Sequence, residues 1–151
     1  MKHALHSHCG GESVLPMALQ KEIEAAIAAI TVKPEVGAAA KIRDAFLLSL
    51  KASGWSSEVS VSRDSDMTIT SLKNGVGLCL QTGNVARIYA DLIKLQAMYL
   101  DNSIRSAAII LPSHPLAKQL GSNIAQAKRL ERELGIFKKA YHVPTLVFSL
   151  E

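Results

Sequence analysis

Cysteine is almost missing from this chain: Cys9 and Cys79 are the only two in 151 residues. That is too few, and too irregularly placed, for a secreted disulfide framework. Long apolar runs are missing too. None approaches the ~20 residues that a membrane-spanning helix needs, and Met1 to Gly11 holds histidines and glycines without the apolar core of a signal peptide. A cytoplasmic protein with no membrane partner is the expectation. There is no internal repeat and no low-complexity segment. With 48 % hydrophobic and 20 % charged residues, the composition excludes a disordered tail or linker. Seventeen Lys and Arg against thirteen Asp and Glu give a net charge of +4, which favours a polyanion partner without requiring one.

The length predicts one domain with a sizeable core, spanning residues 16–151 after a mobile N-terminal segment, 1–15. Apolar residues at helical spacing predict a helix from Leu19 to Ile30, stopping before Pro34. A second helix is expected over Val36 to Ser53, closed by Gly54. Val59 and Val61 alternate in a strand over 58–63. Asn84 reads as the N-cap of a helix over about 85–99, with Val85, Ile88, Tyr89, Leu92, Leu95 and Tyr99 as its buried stripe. The runs 107–111 and 145–150 suit strands covered on both faces, and 116–134 reads as one helix. Together these predict an α/β domain, a mixed β-sheet flanked by helices.

The most informative stretch runs from Lys73 to Asn84. Asn74-Gly75 is a strong hairpin signal, because both central residues of the favoured turn need positive φ. A tight bend there sets 73 opposite 76, 71 opposite 78, 70 opposite 79 and 68 opposite 81, with arms over 66–72 and 76–82. Side-chain alternation then puts Asp66, Thr68, Thr70, Cys79 and Gln81 on one face, a polar platform. Met67, Ile69, Leu78 and Leu80 fall on the other, core face.

The order of these elements, with Val76-Gly77-Leu78-x-Leu80-Gln81-x-Gly83-Asn84 at its centre, is similar to a known family. A helix with Tyr89, Asp91 and Leu92 follows, then Ala108-Ile109-Ile110-Leu111-Pro112 and Val143-Pro144-Thr145-Leu146-Val147. The chain resembles the BglII/BstYI-type restriction endonucleases of the PD-(D/E)XK nuclease fold. His8-Cys9-Gly10-Gly11-Glu12 also resembles the His-His-Gly-Gly-Glu start of some members. The resemblance implies a restriction-endonuclease-like fold, a homodimer and double-stranded DNA as partner. In that family an Asp on the first hairpin arm and a Glu on the second hold Mg²⁺, and a residue two further on helps position the attacking water. Carried over by register, the three positions are Thr70, Cys79 and Gln81, and only Gln81 keeps the family's residue type. Mg²⁺ wants hard oxygen ligands and a thiol is soft, so no metal is expected at the site as written. Asp66 lies roughly 13 Å along the arm from Thr70, and it rejoins Gln81 only if the hairpin is longer or bulged. Asp64 shares that option, and Glu12 is a further acid from the N-terminal segment.

The expected function is therefore double-stranded DNA binding with degenerate or very weak nuclease activity. One alternative is an active Mg²⁺-dependent endonuclease using Asp66, Gln81 and Glu12, and another is a nuclease fold repurposed as a protein-interaction or regulatory subunit. Lys73 at the hairpin tip, Asn84 and Arg87 are the candidate DNA contacts, the last two because a helix N-terminus suits phosphate. Cys79 reads as a small filler at a lost catalytic position rather than a nucleophile. His3, His6, His8 and Cys9 have the residue types of a zinc site but read as a solvated tail. The basic run Lys128, Arg129, Arg132, Lys138 and Lys139 fits either a phosphate contact or the exposed face of a late helix. Trp55 reads as a core anchor.

Overall fold

The computed structural model describes residues 1–151. In chain order its elements begin with β1 (His3–His8), α1 (Gly11–Val14), α2 (Met17–Ala28) and α3 (Ala39–Ala52). Three short strands follow, β2 (Val59–Ser60), β3 (Thr68–Ile69) and β4 (Ser71–Lys73). Then come β5 (Val76–Leu80), α4 (Arg87–Leu100), β6 (Ser106–Pro112), α5 (His114–Leu120), α6 (Ala127–Phe137) and β7 (Thr145–Leu150). No helix is long and apolar enough to cross a membrane.

The turn at 74–75 forms as its sequence demands. Asn74 and Gly75 take φ of 46° and 77°, and the arms pair Ser71 with Leu78, Leu72 with Gly77 and Lys73 with Val76. From this hairpin grows a five-stranded mixed sheet in the order β1-β7-β6-β5-β4. β5, β6 and β7 run parallel, with β4 and β1 antiparallel at the two edges. β6 and β7 are buried along their whole length, as unbroken apolar strands covered on both faces must be.

Two cores flank the sheet. Val76, Leu78 and Leu80 point toward α2, α3 and α5, where they meet Ile23, Ile42 and Phe46. Gly77 and Cys79 face the other way, toward α4 and α6. A Cβ on Gly77 would lie 3.1 Å from Leu95 and 3.2 Å from Ile104, so the missing side chain is what lets α4 approach β5. Each large aliphatic side chain removed from water here stabilises the fold by about 1.5–3 kcal/mol. The hairpin is also pinned to α2. The Lys73 ammonium donates to both carboxylate oxygens of Glu22, at 2.9 and 2.8 Å, and to the Ser53 carbonyl. Trp55, buried as expected, donates its indole N–H to the same Glu22 at 2.8 Å. That donation from Lys73 holds the Glu22 carboxyl below its ordinary range, with Trp55 adding to it.

Four expectations are corrected. The start of the chain, read as a mobile segment over 1–15, is instead edge strand β1 and helix α1, with β1 paired to β7 from His3–Leu150 to His8–Thr145. Consequently His3, His6 and His8 are not on a solvated tail: they lie on this strand, and His8 is buried with Nε2 2.9 Å from the Tyr141 carbonyl oxygen. The single helix expected over 116–134 is two, α5 and α6, separated at Gly121 and by Asn123, whose φ of 55° no helix interior adopts. The fourth concerns the first hairpin arm. The ladder to β5 ends at Ser71–Leu78. At the next step the Leu80 backbone N–H donates to the Thr70 hydroxyl at 3.0 Å instead of to a main-chain carbonyl. Past that point Thr68 and Ile69 pair with Ser60 and Val59 of β2, and Ile69 joins the core that holds Cys79 rather than the one that holds Leu78.

Gly11 supplies a test of the β1–α1 corner. A Cβ there would stand 2.2 Å from the Thr145 carbonyl oxygen and 2.8 Å from its nitrogen, contacts that only a backbone shift relieves. Gly11→Ala should therefore lower stability by about 3 kcal/mol, read as a reduced urea midpoint, whereas Gly135→Ala, inside α6 with open space around it, should raise the midpoint slightly.

Candidate functional site

Where the first arm leaves β5, a cleft of about 500 Å³ opens. One wall is the departing arm (Thr68, Ile69, Thr70), and the other is the end of β5 and the turn after it (Leu80, Gln81, Thr82). α4 closes it with Arg87, Asp91 and Lys94, and α3 and the β2 approach add Arg43 and Glu58. The lining is polar because it sits at the carboxyl end of the parallel strands, where β5 has run out and Gln81 N–H donates to the Ile110 carbonyl at 3.0 Å.

Asp91 is at the bottom. It occupies an inward position on α4 between Ile88 and Leu95 and is only 9 % exposed. Gln81 Nε2 donates to one carboxylate oxygen at 3.2 Å and the Lys94 ammonium to the other at 3.4 Å. Burial lifts the Asp91 carboxyl above its ordinary range, with Lys94 and Gln81 pulling against that rise. Arg43 donates to the Leu80 carbonyl at 3.2 Å and lies 3.5 Å from Glu58. Arg87, exposed on the first turn of α4, pairs with no acid.

The structure brings Thr70, Gln81 and Arg87 together in this cleft. Cys79 lies just behind it, 2 % exposed in the core between β5 and α4. Burial, reinforced by the Asp91 charge, pushes its thiol far above the ordinary range, so the sulfur is neither a thiolate nucleophile nor a ligand facing the cleft. The polar platform expected on this side of the hairpin is therefore replaced by a covered face with a cleft at its end. Asp66 and Asp64 lie exposed between β2 and β3, outside the lining. Glu12 sits beside the Thr145 end of β7, in register with Ala107 and Gly77, at the other end of the strands from Gln81. Lys73, expected as a DNA contact at the hairpin tip, is tied to Glu22 and does not line the cleft. Asn84 is exposed and lies three residues ahead of α4; its side chain accepts from the Ala86 N–H at 2.8 Å, so it shapes the approach to the helix rather than capping it.

The donor set does not fit Mg²⁺. That ion is held by one or two carboxylates with phosphate and water oxygens, close to octahedral. Here Thr70 Oγ1 accepts from Leu80 N–H, Gln81 Oε1 accepts from Gly83 N–H at 3.2 Å, and the sulfur of Cys79 is in the core. The one buried carboxylate is already met by an ammonium. No three His, Cys, Asp or Glu side chains converge anywhere in the chain.

Arg43, Glu58, Asp91 and Lys94 escaped the sequence reading as site residues. Asp91 carried a signal: it falls on the buried stripe of α4, three positions after Ile88, where a carboxylate needs partners. Arg43 and Glu58 belong to no motif, and only the packing of α3 and β2 against the hairpin brings them in.

Comparison with curated proteins yields no match. Solved structures of restriction endonuclease BglII share the fold. The crystal structure of restriction endonuclease BglII complexed with a DNA 16-mer has a TM-score of 0.85 at 15 % identity, over 99 % of this chain and 76 % of that one. Free BglII gives 0.75 at 17 % identity, over 100 % and 80 %. The family model described as restriction endonuclease BglII/BglIII matches residues 3–150, and the chain belongs to that family.

Proposed function

We propose that this protein binds double-stranded DNA on a restriction-endonuclease fold and that its phosphodiester cleavage is lost or very weak. One observation carries the reading: the cleft keeps Gln81 and three cationic side chains, Arg43, Arg87 and Lys94, while the two positions that the resemblance assigns to metal-binding acids are Thr70 in its lining and Cys79 buried behind it. Cationic N–H donors suit a phosphate oxygen, and the net charge of +4 points the same way. A BglII structure of the same fold was solved with a DNA 16-mer, which supports a duplex as the partner here. The active-enzyme alternative built on Asp66, Gln81 and Glu12 is disfavoured, since neither acid lines the cleft.

Phosphate contacts make affinity salt-dependent through counterion release. For three such contacts on one bound chain, raising salt fourfold should weaken binding about 40-fold, and for the six of a dimer by about three orders of magnitude, read in gel shifts over a salt series. Affinity indifferent to salt would remove the DNA reading. Plasmid incubated with Mg²⁺ or Mn²⁺ should remain uncut by the wild type. The double variant Thr70→Asp with Cys79→Glu should gain divalent-ion-dependent nicking, since it returns carboxylates to both positions beside Gln81; a folded double variant that stays inert would argue against the assigned register.

A homodimer fits a second observation. An apolar groove of about 510 Å³ lies between α4 and the end of α6, lined by Leu92, Ile93, Ala97, Leu100 and Phe137 among others. Ile93 is 72 % and Leu100 71 % exposed, an unusual cost for a monomer in water. Two copies joined through this face would cover it. Light scattering should give twice the chain mass for the wild type and the chain mass for Ile93→Glu with Leu100→Glu. A stable dimer that forms no DNA complex at low salt would favour the interaction-subunit reading instead.

A further inference from the structure

Both side-chain oxygens that the three expected catalytic positions offer already accept a hydrogen bond from the protein. Thr70 Oγ1 accepts from Leu80 N–H and Gln81 Oε1 from Gly83 N–H, and the side chain at position 79 carries no oxygen. Asp91 receives Gln81 on one oxygen and Lys94 on the other, while Glu58 is answered by Arg43. What remains unspent is donors. An ammonium carries three and a guanidinium five, and Lys94 gives up only one of its three to Asp91, while Arg87 pairs with no acid. The Lys94 side chain is 21 % exposed, anchored below and open above.

We propose that this cleft receives a DNA phosphate directly, without a divalent cation, with the Lys94 ammonium on Asp91 standing in for the metal ion and Arg87 as the second clamp. The inference rests on the DNA reading above and deepens it. In a site lined by several carboxylates, a phosphate approaching without an ion meets like charge, and a divalent cation relieves the repulsion. Here the lining has two carboxylates, Asp91 and Glu58, and each is already met by a cation, Lys94 and Arg43. Mg²⁺ would have to displace Lys94 to reach one acid group, so it has no bridging work to do. It acts only as a competing counterion, which weakens binding rather than strengthening it.

The test is fluorescence anisotropy with a labelled duplex DNA, in excess EDTA and in millimolar MgCl₂, with ionic strength matched by NaCl. Wild-type affinity in EDTA should equal or exceed that in Mg²⁺. Lys94→Gln should weaken binding in EDTA and lower the salt slope of log K by about one, as loss of one phosphate contact does. Lys94→Arg should keep the wild-type slope; a purely structural role for Lys94 would leave the slope unchanged in both variants and would overturn the inference, with thermal melting confirming that each is folded. A duplex complex that is tenfold or more tighter in Mg²⁺ at matched ionic strength would also overturn it while leaving the DNA reading in place. Failure to bind duplex in either condition would sink both.

Discussion

A hydrogen bond from the Leu80 backbone N–H to the Thr70 hydroxyl governs the shape of the working end of this molecule. In an antiparallel ladder that N–H belongs to a main-chain carbonyl of the neighbouring strand. With a side chain in that role, the arm is released from β5 one residue beyond Ser71, and its side chains change faces. Ile69 then fills the core beside Cys79, and the chain is free to pair with β2. The space left between the departing arm and the end of β5 is the cleft. A polar side chain at position 70 thus matters for backbone satisfaction, whatever it does for a ligand.

The rest of the fold holds that junction still. Gly77 lets α4 press against β5, and α4 in turn carries Asp91 and Lys94 to the cleft. On the opposite side, Glu22 gathers the Lys73 ammonium and the Trp55 indole, binding the hairpin tip to α2 and the loop after α3. This pair is partly shielded, with side chains 20 % and 29 % exposed, and it shares its charges with further donors and acceptors. Both features are structural uses of residues that look functional in isolation. A basic residue at a hairpin tip and a carboxylate on a helix suggest ligand contact, yet their nearest partners are each other.

Much of the architecture was legible because periodicity and turn chemistry act locally. Asn74-Gly75 set the turn and the first three pairs, the unbroken apolar runs at β6 and β7 marked covered strands, and the stripe of α4 marked its buried side. The misses share a cause, which is dependence on partners far away in sequence. β1 has histidines where a strand would ordinarily show apolar alternation, and it is a strand only because β7 offers an edge. The turn of the arm at Thr70 depends on β2, and Arg43 and Glu58 enter the cleft through packing. Asp91 was partly legible, as a charge on an inward stripe, but its meaning needed Gln81 and Lys94 beside it.

The pairing of β1 with β7 also bears on how the chain comes to be folded. Its first strand finds its neighbour in its last, closed at the rim by reciprocal bonds between Lys2 and Glu151, and β7 lies inside the sheet between β1 and β6. During synthesis residues 3–8 must wait, unpaired, until residues 145–150 leave the ribosome, and so distant a closure makes for slow assembly. Losing residues 145–150 would strip out an interior strand and orphan both of its neighbours, so the sheet is incomplete until β7 is made.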